Sequence, residues 1–220
     1  MHATAPLFRP AGAAYLVIIA AGLFAELGVR MPLTVAGDPA ATWANVAANL
    51  PLFRLGLAAD AVMILADVAL AVLLYAIFRA TQPQVALAAM ALRLVQAAII
   101  GASLLASLAA VLLVARGTPA PDTLALLMEL HAQGYDFGLI FFGANTLLTA
   151  WLACRSGLFP AWLAALLGGA GIVYLVGSFT ALLAPWINAM IQPAYGLPVI
   201  AETAFALMLL RGARQAAVPT

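Results

Sequence analysis

Six long apolar segments restrict this chain to a membrane fold. A helix needs about 20 mostly apolar residues to cross a bilayer, and lipid leaves no partner for an unpaired backbone group. The segments cover residues 11–29, 52–78, 84–115, 135–154, 160–183 and 195–210. Hydrophobic residues make up 66% of the 220 positions and charged residues only 8%, whereas about a quarter of a soluble domain is charged. The sequence therefore predicts an all-α polytopic bundle, with residues 1–220 forming a single integral-membrane domain in the lipid bilayer.

Two shorter segments predict interfacial helices on the outer side. Asp38 and Pro39 form a favourable helix start, with Asp as N-cap and Pro in the first turn, so we expect a short helix over residues 40–50. Residues 124–133 are apolar but too short to cross alone, and Gly134 predicts a break before the fourth span.

Arginine placement predicts the orientation. One side carries arginines in stretches without acids, namely Arg9, Arg79, Arg155, Arg211 and Arg214. Loops facing the cytoplasm carry an excess of basic residues. We therefore expect a cell-membrane protein with cytoplasmic N- and C-termini.

Several function classes are disfavoured by residues that the sequence lacks. It contains no lysine and no basic run, which argues against covalent lysine chemistry and against a nucleic-acid partner. The single Cys154 excludes an internal disulfide, and the two histidines, His2 and His131, show no metalloprotease spacing. We therefore expect no metal and no cofactor, and favour a non-enzymatic role over an enzymatic one.

Acidic residues inside or beside the spans are the main functional signal. They are Glu26, Asp60, Asp67, Glu129, Asp136 and Glu202. An acid near the bilayer centre costs about 2.5–3.5 kcal/mol on insertion scales, so such residues face the interior, pair up or line a water path. They predict a buried polar site.

Helical spacing divides these acids between two depths. Asp60 and Asp67 share one face of the second span, because seven residues make about two turns. By depth, Asp67, Arg93 and Glu202 form a mid-membrane ion-pair cluster, which serves either as a strut or as a functional site. Two acids with one arginine leave one carboxyl that can hold or exchange a proton.

The second group lies nearer the outer side and supplies the candidate ligand-binding residues. These are Glu26, Asp60, His131, Tyr135 and Asp136. Carboxylates beside an imidazole can bind a cation or perform acid–base chemistry. The leading hypothesis is binding or transport of a small cationic or polar ligand, with or without coupling to protons.

Two other function classes remain open. An intramembrane enzyme acting on a lipid-like substrate would use Asp136 or Glu26 as acid or base, with His131 as partner. A structural accessory subunit would use the charges only to lock the bundle. The sequence does not determine the oligomeric state.

Four strings resemble a known family. They are LFAELGVR around Glu26, FRLGLAADAVMILADVALAVLLYAIFR around Asp60 and Asp67, LRLVQAAIIG around Arg93, and LHAQGYDFGLIFFG around His131 and Asp136. Together with the C-terminal half, these strings resemble the bacterial membrane-protein family called domain of unknown function 4386. The resemblance implies a multi-pass prokaryotic membrane protein and brings no reaction or ligand.

Overall fold

All regular secondary structure is helical in the part of the chain that the computed structural model describes, residues 5–212. The helices are α1 (Ala5–Leu23), α2 (Met31–Leu33), α3 (Pro39–Ala48), α4 (Leu50–Phe78), α5 (Pro83–Ala115), α6 (Pro121–Ser156), α7 (Ala161–Leu183), α8 (Pro185–Ile191) and α9 (Gly196–Arg211). A π-helical segment, Phe24–Arg30, joins α1 to α2, and a 3₁₀ turn, Gln192–Tyr195, joins α8 to α9.

Six helical stretches are long and apolar enough to span a membrane. They are Ala5–Leu33, Leu50–Phe78, Pro83–Ala115, Pro121–Ser156, Ala161–Leu183 and Pro185–Arg211. The predictions of an all-α bundle and of six spans are confirmed. The orientation of the termini stays a prediction, and "inner" below means the end of the bundle that holds Ala5 and Arg211.

Prolines and glycines set many of the helix ends. Pro39, Pro83 and Pro121 begin α3, α5 and α6, where a missing backbone N–H costs nothing. Gly117 and Gly157 follow α5 and α6 with φ of 74° and 67°, a backbone conformation that favours glycine.

The six spans close into a ring. Consecutive spans pack against each other through the contacts of α1 with α4, α4 with α5, α5 with α6, and α6 with α7. Helix α9 packs against both α7 and α1 and so closes the ring. Gly12 permits this closure, since a Cβ there would lie 2.7 Å from the Ala206 carbonyl oxygen of α9.

The prediction of the first outer helix is confirmed, and the prediction of the second is wrong. The Ala41 N–H donates to the Asp38 Oδ1 at 2.9 Å, which caps α3 as expected. Residues 124–133 instead continue without a break into the fourth span, since α6 is one helix from Pro121 to Ser156. Gly134 lets α6 pack closely against α5, because a Cβ there would lie 2.7 Å from the Ser103 Cβ of α5.

The ends of the first and last spans also differ from the prediction. Helix α1 begins at Ala5, six residues before the predicted start of the first span, and it includes Pro10. The 3₁₀ turn and α8 precede α9, so Pro198 lies in the first turn of α9. At that position a proline sacrifices no helical hydrogen bond, so it gives α9 no cause to kink.

Two apolar clusters lie above and below the polar interior. The inner apolar cluster is built around Phe159, whose ring lies 5.1 Å from that of Phe205 and 6.0 Å from that of Phe78. The outer apolar cluster contains Val29 and Phe53. Along α4 and α5, Asp67 and Arg93 therefore lie between the two apolar clusters.

Candidate functional site

The outer cluster consists of Glu26, Arg30 and Asp60, held together by the arginine. Arg30 Nε donates to the Glu26 Oε2 at 2.7 Å, and Arg30 Nη1 donates to the Asp60 Oδ2 at 2.5 Å. Asp60 is 1% exposed, whereas the Glu26 side chain is 53% exposed. The cluster therefore reaches from the surface into the interior and carries one more acid than base.

A π-helical segment positions two of these three residues. Glu26 and Arg30 lie near the two ends of the segment Phe24–Arg30, which follows α1. π-Helical turns are rare and occur often at functional sites. The segment packs against α4, which brings Arg30 to Asp60.

A small cavity adjoins the outer cluster. Its free volume of about 10 Å³ is lined by Val29, Arg30, Phe53, Gly56, Leu57, Asp60 and Ser107. This is space for about one water molecule.

His131 and Tyr135 lie side by side on α6 and contact other helices. The Ser103 hydroxyl donates to the Ile100 carbonyl oxygen at 2.7 Å and lies 3.2 Å from the His131 Nδ1. The Ser103 hydroxyl and the His131 Nδ1 are thus within hydrogen-bonding distance, and the tautomer of the imidazole decides which of them donates. The Tyr135 hydroxyl donates to the Met63 sulfur at 3.8 Å.

Two of the predicted acids stand apart from the outer cluster. Asp136 is half-buried and Glu129 is exposed. Within residues 5–212 neither side chain makes a hydrogen bond or an ion pair. In the structure Arg30 bridges Glu26 and Asp60, and the side chains of His131 and Tyr135 are neighbours. Asp136 has no polar partner in the described part of the chain.

The mid-membrane cluster is centred on Arg93 of α5. Arg93 Nε donates to the Asp67 Oδ1 at 2.7 Å, and Nη2 lies 2.6 Å from the same oxygen. The Arg93 Nη1 donates to the Asn145 Oδ1 at 3.4 Å, and the Asn145 amide donates to the Ala89 carbonyl oxygen at 2.6 Å. These contacts connect α4, α5 and α6.

Aromatic rings complete the enclosure of Arg93. Its guanidinium carbon lies 5.2 Å from the Tyr15 ring centroid and 5.0 Å from that of Phe142. Both distances suit cation–π attraction, which is strongest away from water. Arg93 is 2% exposed, so the whole charge is buried.

Glu202 belongs to the same layer but is not paired with Arg93. Its Oε1 accepts from the Tyr174 hydroxyl at 2.6 Å, and no basic side chain among residues 5–212 lies within 4.0 Å. The Tyr15 and Phe142 rings instead pack against the Arg93 guanidinium. Glu202 is 6% exposed, so it is a buried acid without a cationic partner.

The described residues contain no set of side chains suited to bind a metal ion. No group of three His, Cys, Asp or Glu side chains between residues 5 and 212 lies close enough together to hold a metal ion.

Sequence reasoning missed Arg30, Asn145 and Tyr174. Arg30 follows Glu26 by four residues, a spacing that favours helical ion pairs. Asn145 is a polar residue within an apolar span, and such residues often bond between membrane helices. Tyr174 gave no sequence signal that distinguishes it from an ordinary packing aromatic.

The comparisons with known proteins identify the family and nothing finer. The family model described as Domain of unknown function (DUF4386) matches residues 10–212. The chain therefore belongs to this family. No curated protein and no solved structure matches the chain.

Proposed function

We propose that this member of the DUF4386 family binds protons in its buried acidic layer and passes them across the membrane. The proposal narrows the small cationic or polar ligand expected from the sequence to the smallest cation. Its main support is Glu202, a buried carboxyl that is hydrogen-bonded to Tyr174 and has no basic partner within 4.0 Å among residues 5–212.

The surroundings of Glu202 suit reversible protonation. A buried carboxylate without a counter-charge is costly, and binding a proton removes the charge. The Tyr174 hydroxyl supplies a hydrogen bond to the ionised form when the proton leaves. Asp67 differs from Glu202 in having a counter-charge, since its Oδ1 lies 2.6 Å from the Arg93 Nη2.

The two cavities beside the buried charges have room for water and not for an organic ligand. The cavity beside Asp60 and a second cavity beside Arg93 each have a free volume of about 10 Å³. Organic ligands occupy pockets of about 300–1,000 Å³, whereas one water molecule fits into about 10–15 Å³. The two cavities therefore suit water-borne protons.

The test is proton flux in reconstituted liposomes that contain a pH-sensitive dye. An imposed membrane potential should drive acidification that depends on the protein, and Glu202→Gln should abolish it. Tyr174→Phe should slow it, because the hydrogen bond to the ionised carboxylate is lost. Glu129→Gln is the matched control, since it neutralises an exposed acid on α6.

The two acids of α4 are changed together in a second variant for this assay. Asp60→Asn combined with Asp67→Asn should also reduce flux, because both carboxylates lie on the interior face of α4. If this pair and Glu202→Gln all match the unmodified protein, the proton proposal should be abandoned.

A structural role is the second candidate, and the ion pairs favour it. Arg30 joins the end of the first span to α4, and Arg93 joins α4 to α5. In a purely structural protein each acid-to-amide change lowers stability, and no variant changes proton flux.

The enzyme hypothesis receives no geometric support. Within residues 5–212 no hydrogen bond joins His131 to Asp136 or to Glu26. Lipid turnover by the purified protein, lost in Asp136→Asn, would restore this alternative.

We also propose that the inner end of the bundle faces the cytoplasm. The arginine asymmetry supports this placement, and six spans put both ends of the described chain on one side. Alkaline phosphatase should be inactive when fused after Thr81 and active when fused after Gly117. Activity after Thr81 and inactivity after Gly117 would show that the inner end faces away from the cytoplasm.

A further inference from the structure

The connection between α7 and α9 is held on the bundle by a few directed contacts. The residues of α8 are all exposed or half-buried, so burial of its side chains contributes little. Instead, the Asn188 amide donates to the Gly177 carbonyl oxygen of α7 at 2.7 Å. The Gln192 amide donates to the Asn188 Oδ1 at 2.8 Å and so ties α8 to the 3₁₀ turn. These bonds hold the turn, with Tyr195 at its end, against α7.

Gly177 makes room for the Tyr195 ring. A Cβ at position 177 would lie 2.8 Å from the Tyr195 Cζ and 3.0 Å from its Cε2, so a side chain there would displace the ring. Gly177 follows Tyr174 by three residues, which is about one helical turn along α7. The Tyr195 ring accordingly packs edge-on against the Tyr174 ring, with centroids 5.9 Å apart, a favourable geometry for aromatic pairs.

Two aromatic rings therefore pack against Tyr174. The second is Phe142 of α6, whose ring centroid lies 5.0 Å away, also in an edge-on arrangement. The Tyr174 hydroxyl donates to the Glu202 Oε1 at 2.6 Å. Because the ring is rigid and carries the hydroxyl at its tip, a ring that shifts moves the hydroxyl with it. The hydrogen bond to Glu202 thus depends on the rings that hold Tyr174.

We propose that Tyr195 is a positioning residue, which keeps the Tyr174 hydroxyl on Glu202 through the contact of the two rings. Tyr195 therefore acts on the buried acid through Tyr174. Its effect on protons rests on the proposed function, because a hydrogen bond to the ionised carboxylate favours release of the proton. The arrangement of the rings does not depend on that function.

NMR of the protein in lipid nanodiscs, with ¹³C at the Cζ of its five tyrosines, tests this role. The chemical shift of this carbon responds to hydrogen bonding by the hydroxyl. Tyr174→Phe identifies the Tyr174 signal by its loss, and Glu202→Met gives the position of that signal without the acceptor. Gly177→Ala and Tyr195→Ala should each move the signal towards its position in Glu202→Met. Tyr195→Phe keeps the ring and should retain the signal of the unmodified protein.

Gly168→Ala is the matched control, because a Cβ at this position of α7 would lie 4.0 Å from the Ala150 Cβ, an ordinary contact. This variant should leave both the Tyr174 signal and proton flux unchanged, whereas Gly177→Ala should slow flux as Tyr174→Phe does. A Tyr174 signal that stays in place in both Gly177→Ala and Tyr195→Ala would overturn the positioning role, even if both variants melt at a lower temperature.

If Gly177→Ala does not fold, the comparison of Tyr195→Ala with Tyr195→Phe decides alone. A Tyr174 signal that moves as expected, in a protein without proton flux, would support the positioning role and count against the proposed function. Proton flux by the unmodified protein, together with a signal that neither variant moves, would overturn the positioning role and leave the proposed function standing.

Discussion

The outer cluster and the mid-membrane cluster each contain an arginine–aspartate ion pair, but the surroundings of the two pairs differ. Arg30 pairs with Asp60 near the outer end, where half-exposed Glu26 gives the guanidinium a second partner. Arg93 pairs with Asp67 in the middle, where aromatic rings and Asn145 replace water. Because removing water strengthens both charge attraction and the cost of leaving a charge unpaired, the mid-membrane pair should be the more critical.

The two clusters also differ in how they accommodate a surplus acid. In the outer cluster the surplus acid is Glu26, whose side chain is 53% exposed. In the mid-membrane cluster the surplus acid is Glu202, which is buried beside Tyr174. The proton proposal therefore places the exchangeable proton in the mid-membrane layer, on Glu202.

The largest expected effect comes from Arg93→Met. The substitution leaves Asp67 buried without its counter-charge, which should reduce the free energy of unfolding by about 3–5 kcal/mol. Equilibrium unfolding in mixed detergent micelles measures this change. Arg54→Met is the control, because Arg54 is exposed; an equal loss in both variants would contradict the special status of the buried pair.

The double variant Asp67→Leu with Arg93→Met tests whether the loss in Arg93→Met comes from the unpaired Asp67. Replacing a buried ion pair by apolar residues is often neutral, so the double variant should recover most of the loss caused by Arg93→Met. A double-mutant cycle gives the coupling free energy. Additive losses would mean that the two side chains act independently.

A smaller effect is expected for Asp60→Asn. Arg30 keeps Glu26 as its partner, so the variant loses one charged hydrogen-bonding partner, with a cost of about 1.5–3 kcal/mol. The same unfolding measurement applies. A loss larger than that of Arg93→Met would reverse the ranking of the two clusters.

The smallest effect is expected for Glu26→Gln. The carboxylate is half-exposed, and exposed ion pairs contribute about 0–1 kcal/mol. The unfolding free energy should change by no more than this, and the change should shrink further at high salt. A salt-independent loss would show that salt does not screen the pair of Glu26 and Arg30, and so that lipid rather than water surrounds it.

Helical periodicity explains which parts of these clusters were predictable from sequence. Asp60 and Asp67 share the buried face of α4 as expected, and Arg93, Gln96, Ser103 and Ser107 share the buried face of α5. Regular spacing along a single helix determines such faces.

Contacts that depend on three-dimensional packing were not predictable in the same way. Arg30 reaches Asp60 because the π-helical segment packs against α4, and Glu202 binds Tyr174 because α9 packs against α7. Gly134 was misinterpreted because a glycine can mark either a helix break or a close helix contact, and only the neighbouring α5 distinguishes them.

The most direct test of the exchangeable proton is infrared difference spectroscopy of the protein in lipid while the pH is stepped. The unmodified protein should show a protonated-carboxyl band that Glu202→Gln removes and that Tyr174→Phe shifts, because Tyr174 donates to this carboxyl. Asp60→Asn should leave the band in place. A band that survives Glu202→Gln unchanged, or that disappears in Asp60→Asn, would contradict the assignment of the proton to the mid-membrane layer.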